Sequence, residues 1–444
     1  MKFARNGRRV AVAAVSLGAL LTAAACGGSS SDSGSGTGSS APAVDLAKQG
    51  DTELWVGKDS SGNLPKLIAQ FNSQHPTGQV KFHELPDSAD QQRQQMIQNT
   101  QIKNPAMGII SVDVVWTSEF AAKGYVVPLP ADQFPTTGFL QSAITGATYF
   151  NKLYAYPQTS DGGLLYYRKD LMDKYGITAP PTTFDEMKAD CDKIKAGEND
   201  KSLSCFAGQY DKYEGLTVNF DEAVHSAGGV IVADDGTPNV ATPEAAKGLQ
   251  TLADWFKNGD IPKDAVTWRE DNGRTAFEAG QLIFHRNWGY VYNLAQTDKS
   301  SVVKGKIDVA PLPGINGPGV SSLGGHNYAI AANAENKGTA ADFIKFMTSE
   351  ATQKSNTLAT SQSPTLEKLY TDSDLVKKFP FMPTQLKSIQ GAIPRPKAVE
   401  YGDVTLAIQD AAYGAIQTGA GGGTADANTA LQGLQTKLQG LIKK

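Results

Sequence analysis

The 444 residues predict an α/β body. Short apolar runs of strand length alternate with stretches of helical periodicity along most of the chain. Residues 53–82 read as strand, helix, strand, and such a β-α-β unit implies parallel pairing. At roughly 100–200 residues per domain the length allows two or three domains. Hydrophobic residues at 40% against 19% charged permit a sizeable core. No repeat with a period of roughly 20–50 residues is found.

The elements follow in order. Residues 53–56 start the unit as a strand. Asn63 caps a helix whose apolar positions are Leu64, Leu67, Ile68 and Phe71, and His75, Pro76 and Gly78 stop it. Val80 and Phe82 alternate in the second strand. Residues 109–116 and 164–167 are further apolar, strand-like runs. Thr183 with Glu186 makes a capping box before a helix carrying Phe184, Met187, Cys191 and Ile194. Thr242, Pro243 and Glu244 open another helix, with Leu249, Leu252, Ala253 and Phe256 on one face and Asn258-Gly259 closing it. Residues 341–347 form a short amphipathic helix with Phe343, Ile344 and Met347 inward. Residues 419–423 break the chain before a last helix with Leu431, Leu434, Leu438 and Leu441.

The N-terminus carries an address. Lys2, Arg5, Arg8 and Arg9 precede an apolar stretch over residues 10–25, too short for a spanning helix and of the right length for a signal peptide. The run ends in Ala23, Ala24, Ala25 and Cys26, followed by two glycines, which is similar to the lipobox of bacterial lipoproteins; Ala23 replaces the usual Leu. Residues 1–25 are read as signal peptide, Cys26 as the lipidation site, and 26–43 as a tether. Gly or Ser fills twelve of the fourteen positions 27–40, which gives a flexible linker of about 20 Å root-mean-square reach. The alternative is a secreted protein with an incidental Cys26. The two other cysteines, Cys191 and Cys205, can pair in an oxidising compartment, closing a loop of about 15 residues worth roughly 3 kcal/mol. Equally, the helical spacing of Cys191 suits an ordinary core residue.

Charge excludes some functions. With the four basic residues of the signal segment removed, 37 Lys and Arg face 45 Asp and Glu, so nothing favours a nucleic-acid partner. No later run reaches the roughly 20 apolar residues of a membrane span. There is no phosphate-loop, zinc-protease or paired CxxC motif, and His75, His83, His225, His285 and His326 show no metal-ligand spacing. No cofactor, metal or catalytic residue is expected. The carboxylates Asp113, Asp161 and Glu214 sit in suggestive places, as acid/base groups or as acceptors for sugar hydroxyls. Residues 284–290 put Trp288 and Tyr290 two apart beside Gly289. Such rings stack on the apolar faces of sugars, or they are one face of a core element.

Ordered blocks over nearly 300 residues then carry a resemblance. They are Val112-Asp113-Val114-Val115-Trp116 with Phe120, Gly124, Pro128 and Leu129; residues 161–171, beginning Asp161-Gly162-Gly163; Tyr213-Glu214-Gly215-Leu216; Arg286-Asn287-Trp288; Ala310-Pro311-Leu312-Pro313-Gly314; Leu323-Gly324-Gly325; and Pro394-Arg395-Pro396. The body resembles the extracellular sugar-binding lipoproteins of bacterial ABC importers, the family 1 solute-binding proteins, in their trehalose/maltose-binding branch. This implies a two-lobed, periplasmic-binding-protein-like α/β fold of type II, with ligand in the cleft between lobes joined by crossing strands. Lobe one is expected at 44–158 plus 309–349 and lobe two at 159–308 plus 350–444. Carried over by position, Asp113 and Asp161 accept hydrogen bonds from sugar hydroxyls, Arg93 points into the cleft, Trp288 and Tyr290 stack, Gly325 lets backbone approach the ligand, and Arg395 reaches it. The alternative for Asp113 and Asp161 is turn capping, and for Arg93 a solvated helix charge. Glu214 is read as buried and structural. His326 and Thr159 replace aromatics of the relatives and trade stacking for hydrogen bonding.

The expected function is therefore non-enzymatic: a monomeric, lipid-anchored receptor on the outer face of the membrane. It captures a small sugar, such as trehalose or maltose, and delivers it to ABC permease subunits. A tethered glycosidase using the same carboxylates and an adhesion module are the rivals.

Overall fold

The computed structural model describes residues 44–442. The segments read as signal peptide and tether, Cys26 included, lie outside the described residues. Among the described residues no helix is long and apolar enough to cross a membrane.

The β-α-β unit forms as its pattern dictates. Thr52–Val56 pairs in parallel with Val80–Glu84, Thr52 opposite Val80 and Val56 opposite Glu84. Between them the helix Leu64–Gln74 buries Leu67, Ile68 and Phe71. Asn63 precedes this helix but does not cap it with its side chain. Its amide donates instead to Asn356 Oδ1 (2.8 Å), and the Leu64 N–H is taken by Asp59 Oδ2 (2.9 Å). The apolar run 109–116 is only partly strand: Met107–Asp113 is buried throughout, and the chain then turns. Asp113 Oδ1 accepts the N–H of Val115 (3.1 Å), an Asx turn that ends the strand.

Two sheets result. The first orders Val80–Glu84, Thr52–Val56, Met107–Asp113, Leu323–Ile330 and Tyr156–Gly162. Leu323–Ile330 runs antiparallel to both of its neighbours. The second orders Ile307–Ala310, Leu164–Arg168, Leu282–Asn287 and Ser204–Ala207. A small hairpin pairs Thr148–Tyr149 with Lys152–Leu153. The period of two along a strand divides the second lobe into two cores. Leu164 and Tyr166 pack on one face with Phe277 and Tyr370, Leu165 and Tyr167 on the other with Phe220 and Phe256. The first sheet has its own core around Phe71, Ile110, Trp116 and Phe343.

The fold is thus a two-lobed, periplasmic-binding-protein-like α/β fold. The ladders move the expected lobe boundaries. Tyr156–Gly162 stays in the first sheet to its end, so the chain crosses at Gly162-Gly163 and residues 159–162 belong with lobe one. Ile307–Ala310 pairs with Leu165–Arg168, so residues 309–310 belong with lobe two. The return crossing runs from there to Leu323. The helix Lys337–Thr348 buries Phe343, Ile344 and Met347 in the first core, and the chain then returns to the second, where Leu366, Leu369 and Tyr370 join Leu164 and Tyr166.

Besides Asn63, one further helix end departs from the chemistry read from sequence. Thr183 Oγ1 accepts from Glu186 N (3.1 Å), but the Glu186 carboxylate accepts from Thr182, not from Thr183. Gly259 ends Pro243–Asn258 with φ at 78°. Cys191 and Cys205 are bonded, their Cα atoms 5.4 Å apart, and join Phe184–Glu198 to Ser204–Ala207.

That bridge closes a loop of about 15 residues. Replacing both cysteines by Ala is expected to cost about 3 kcal/mol, read as a lower urea midpoint; reductant added to the native chain should reproduce the shift. An unchanged midpoint would remove the bridge from the account of stability.

Candidate functional site

A cavity of about 260 Å³ opens between the lobes. It lies at the carboxyl ends of Thr52–Val56 and Met107–Asp113, where side chains of an α/β sheet converge on ligands. Asp113, Asp161, Trp288, Tyr290, Gly325, His326 and Arg395 all line it. Arg93 does not. Its Nε donates to Glu119 Oε2 (2.8 Å) and its Nη2 pairs with Glu119 Oε1. Glu119 is fully buried, and a buried carboxylate needs a cation, so Arg93 together with Lys123 is spent inside lobe one.

Arg395 sits between two carboxylates of different lobes. Pro394 and Pro396 fix its backbone. Its Nη2 donates to Asp113 Oδ1 (2.8 Å), and its Nη1 to Asp113 Oδ2 (3.3 Å) and to Glu214 Oε1. Glu214 also accepts the hydroxyls of Tyr401 and Thr405, the latter at 2.7 Å. It is buried, as its motif suggested, and it too borders the cavity. Burial pushes its carboxyl up to about 7, against the pull of Arg395.

Trp288 is anchored through its backbone and backed at its ring. Its N–H donates to Asn287 Oδ1 (2.8 Å), and its carbonyl accepts the hydroxyl of Tyr166 (2.7 Å). The guanidinium of Arg286 lies 3.9 Å from its ring centroid. A Cβ on Gly324 would come within 2.8 Å of the indole, so only Gly lets the strand pass this close. Asn287 is fixed in turn: its Nδ2 reaches Glu270 O (3.1 Å) and His285 Nε2 (2.9 Å), while His285 Nδ1 meets Ala207 O (3.0 Å). Imidazole therefore serves as donor at Nδ1 and acceptor at Nε2. Burial lowers its pKa to about 3.

On the first sheet three residues form a row. His326 lies opposite Asp113 on one side and Thr159 on the other. The two departures from the family pattern are thus cross-strand neighbours beside the site carboxylate. Just beyond, the register shifts between His326 and Asn327 and leaves Gln158 unpaired. Bulges re-aim side chains, and Gln158 turns into the cavity with its Oε1 accepting from Ser111 (2.6 Å). Gly325 has φ at 110°, and a Cβ there would strike Thr159 O and lie 2.9 Å from Ser160 Cα. Its glycine is required by the backbone before any ligand is considered. Burial raises the Asp161 carboxyl above its ordinary value, against hydrogen bonds from Ser363 and Thr159.

Other wall residues escaped the sequence reading. Lys58, in the loop after Thr52–Val56, reaches across to Asp271 Oδ2 (2.8 Å), which Ser60 Oγ also contacts (3.2 Å). Asp87, also on the wall, lies 3.6 Å from Arg269. Glu270 accepts the Tyr213 hydroxyl (2.7 Å). The position of the Gly57–Gly62 loop at a strand's carboxyl end was the available signal for Lys58, and Pro157, which cannot donate to a ladder, was the signal for the bulge at Gln158. Among the described residues no group of three or more His, Cys, Asp or Glu is arranged to hold a metal ion.

Residues 57–354 match the family model of the bacterial extracellular solute-binding proteins. A probable ABC transporter-binding protein of Deinococcus radiodurans is 32% identical over 386 residues, 84% of this chain and 88% of the relative. A galactooligosaccharide-binding protein of Bacillus subtilis is 24% identical, covering 80% of each chain. Among solved structures, the maltose-bound MalE3 of T. maritima superposes with a TM-score of 0.82 at 30% identity, over 88% of this chain and 99% of that one.

Two outcomes follow from the charges. Arg395→Met leaves Asp113 and Glu214 facing each other without a cation, and is expected to cost about 3–5 kcal/mol in urea unfolding at pH 8. The loss should shrink towards pH 5, where the Glu214 carboxyl takes a proton; an equal loss at both values would disprove the assignment. His285 binds its proton near pH 6.5 when unfolded but only near 3 when folded. Its contribution to stability is whole above about 6.5 and is lost as pH falls towards 3, at about 1.4 kcal/mol per pH unit. In His285→Gln the acid limb of the stability profile should flatten by one proton.

Proposed function

The chain belongs to the bacterial extracellular solute-binding protein family, and from that premise we propose that it captures a small oligosaccharide for an ABC importer. An α-linked glucose disaccharide such as trehalose or maltose is the ligand this reading favours. The observation that carries it is the meeting, in one interlobe cavity, of a clamped indole with the carboxylates Asp113 and Asp161. A pyranose offers an apolar face to Trp288 or Tyr290 and a rim of hydroxyls to the carboxylates, His326 and Gln158. In Asp113 the carboxylate is oriented by Arg395, which fits an acceptor better than a group that must exchange protons in catalysis. Asp161 carries the second acceptor position.

In this reading the ligand holds the two lobes together by touching both, and the closed form is what the permease subunits recognise. The receptor acts as a monomer at the outer face of the membrane, held there through Cys26. The names of the relatives support the class: one binds galactooligosaccharides and another is maltose-bound.

Calorimetry on a chain beginning near Ala41, with trehalose, maltose, sucrose and lactose, tests it. One-to-one binding of an α-linked disaccharide recovered intact is expected, and Trp288→Ala should weaken it about tenfold or more. No heat with any sugar would sink the disaccharide reading, and release of glucose would replace the receptor by a hydrolase.

A further inference from the structure

Beneath the indole of Trp288 lies a buried ion pair that ligand binding does not explain. Arg286 and Glu222 are 2% and 8% exposed. Arg286 Nε donates to Glu222 Oε2 (2.9 Å), its Nη2 to Glu222 Oε1 (2.5 Å), and its Nη1 to Gln209 Oε1 (3.0 Å). Burying such a pair is a poor route to stability, since apolar residues of similar volume do as well or better. What distinguishes this pair is where its ends lead. The guanidinium backs the Trp288 ring at 3.9 Å. The carboxylate accepts the backbone N–H of Ser322 (3.2 Å), in the segment that returns from lobe two to lobe one. The other crossing touches the same pair, because a Cβ on Gly163 would lie 2.7 Å from Arg286 Nη2 and 2.8 Å from Glu222 Oε1. Gly163 N also donates to Ser321 Oγ (2.6 Å), joining the two crossings to each other.

We propose that Arg286 and Glu222 are positioning residues that couple the Trp288 platform to the interlobe crossings at Gly163 and Ser322. A planar guanidinium fixed by a fork–fork pair cannot tilt without moving its carboxylate, and that carboxylate is anchored to the crossing. A shift of the indole under a stacked ligand is thereby passed to the segment about which the lobes move. The inference deepens the proposed function and rests on Trp288 as the stacking surface.

Hydrogen exchange on the unliganded protein provides a test that needs no ligand. Trp288→Ala should speed exchange of the Ser322 amide at least tenfold, although the acceptor of that amide is Glu222. The double variant Glu222→Met, Arg286→Met, which leaves no lone buried charge and so should fold, should speed that amide equally, and adding Trp288→Ala to it should change nothing more. Ser322 exchange unaffected by Trp288→Ala, or additive effects in the triple variant, would overturn the coupling. Maltose titration separates this from the proposed function. If the native chain binds maltose and exchange shows no coupling, only the coupling fails. If exchange shows coupling and neither maltose nor another sugar binds, only the sugar reading fails.

Discussion

The guanidinium of Arg395 is the charge around which the cleft is assembled. It is buried, and the two carboxylates that neutralise it come from different lobes, Asp113 from the end of a first-sheet strand and Glu214 from the start of a second-lobe helix. Neither carboxylate could be buried alone at acceptable cost. Tyr401 and Thr405, on the long helix Tyr401–Ala420, complete the coordination of Glu214, so that helix is tied to the same centre. Sheet end, helix start and C-terminal segment are thus positioned by one electrostatic requirement. The cavity wall inherits an oriented Asp113 as a consequence.

The row formed by Asp113, His326 and Thr159 shows what the departures from the family pattern accomplish. Large aromatics at both replaced positions would stand side by side on one sheet face and offer an apolar floor. His and Thr offer a polar one, next to a carboxylate and to the unpaired Gln158. In the proposed function, stacking is left to Trp288 and Tyr290 on the opposite lobe. The cleft therefore carries its two large aromatics, Trp288 and Tyr290, on the second lobe only, together with the carboxylates Glu214, Glu270 and Asp271.

Much of this was legible in the sequence, for identifiable reasons. The β-α-β unit, the helix begun by Thr242 and the last helix were readable because period and end chemistry agree locally. The site carboxylates and Trp288 were readable only through ordered motifs, since nothing in local pattern brings residues 113, 161, 288 and 395 together. Arg93 misled because its motif is a helix face, while its partner Glu119 is 26 residues away and becomes visible only once both are packed. Lys58 and Asp271 were invisible for the same reason at greater distance, 213 residues apart. Lobe boundaries slipped by a few residues because ladder pairing, not composition, decides to which sheet a crossing residue belongs.

The contacts that bridge the mouth differ in kind from the buried centre. Lys58 and Asp271 have side chains 50% and 21% exposed, and Arg269 faces Asp87 at 3.6 Å in similar surroundings. Exposed pairs of this sort are worth about 0–1 kcal/mol each. Two of them contribute too little to hold the cleft shut, as the proposed function requires of an empty cleft. A ligand needs only a few kcal/mol of preference for the closed form to shift such a balance. Strong, water-excluded charge is placed around Arg395, and weak, screened charge at the pairs of Lys58 with Asp271 and Arg269 with Asp87. That division follows from local dielectric, because the same Coulomb attraction is several times stronger beside the buried Arg395 than at the solvated mouth.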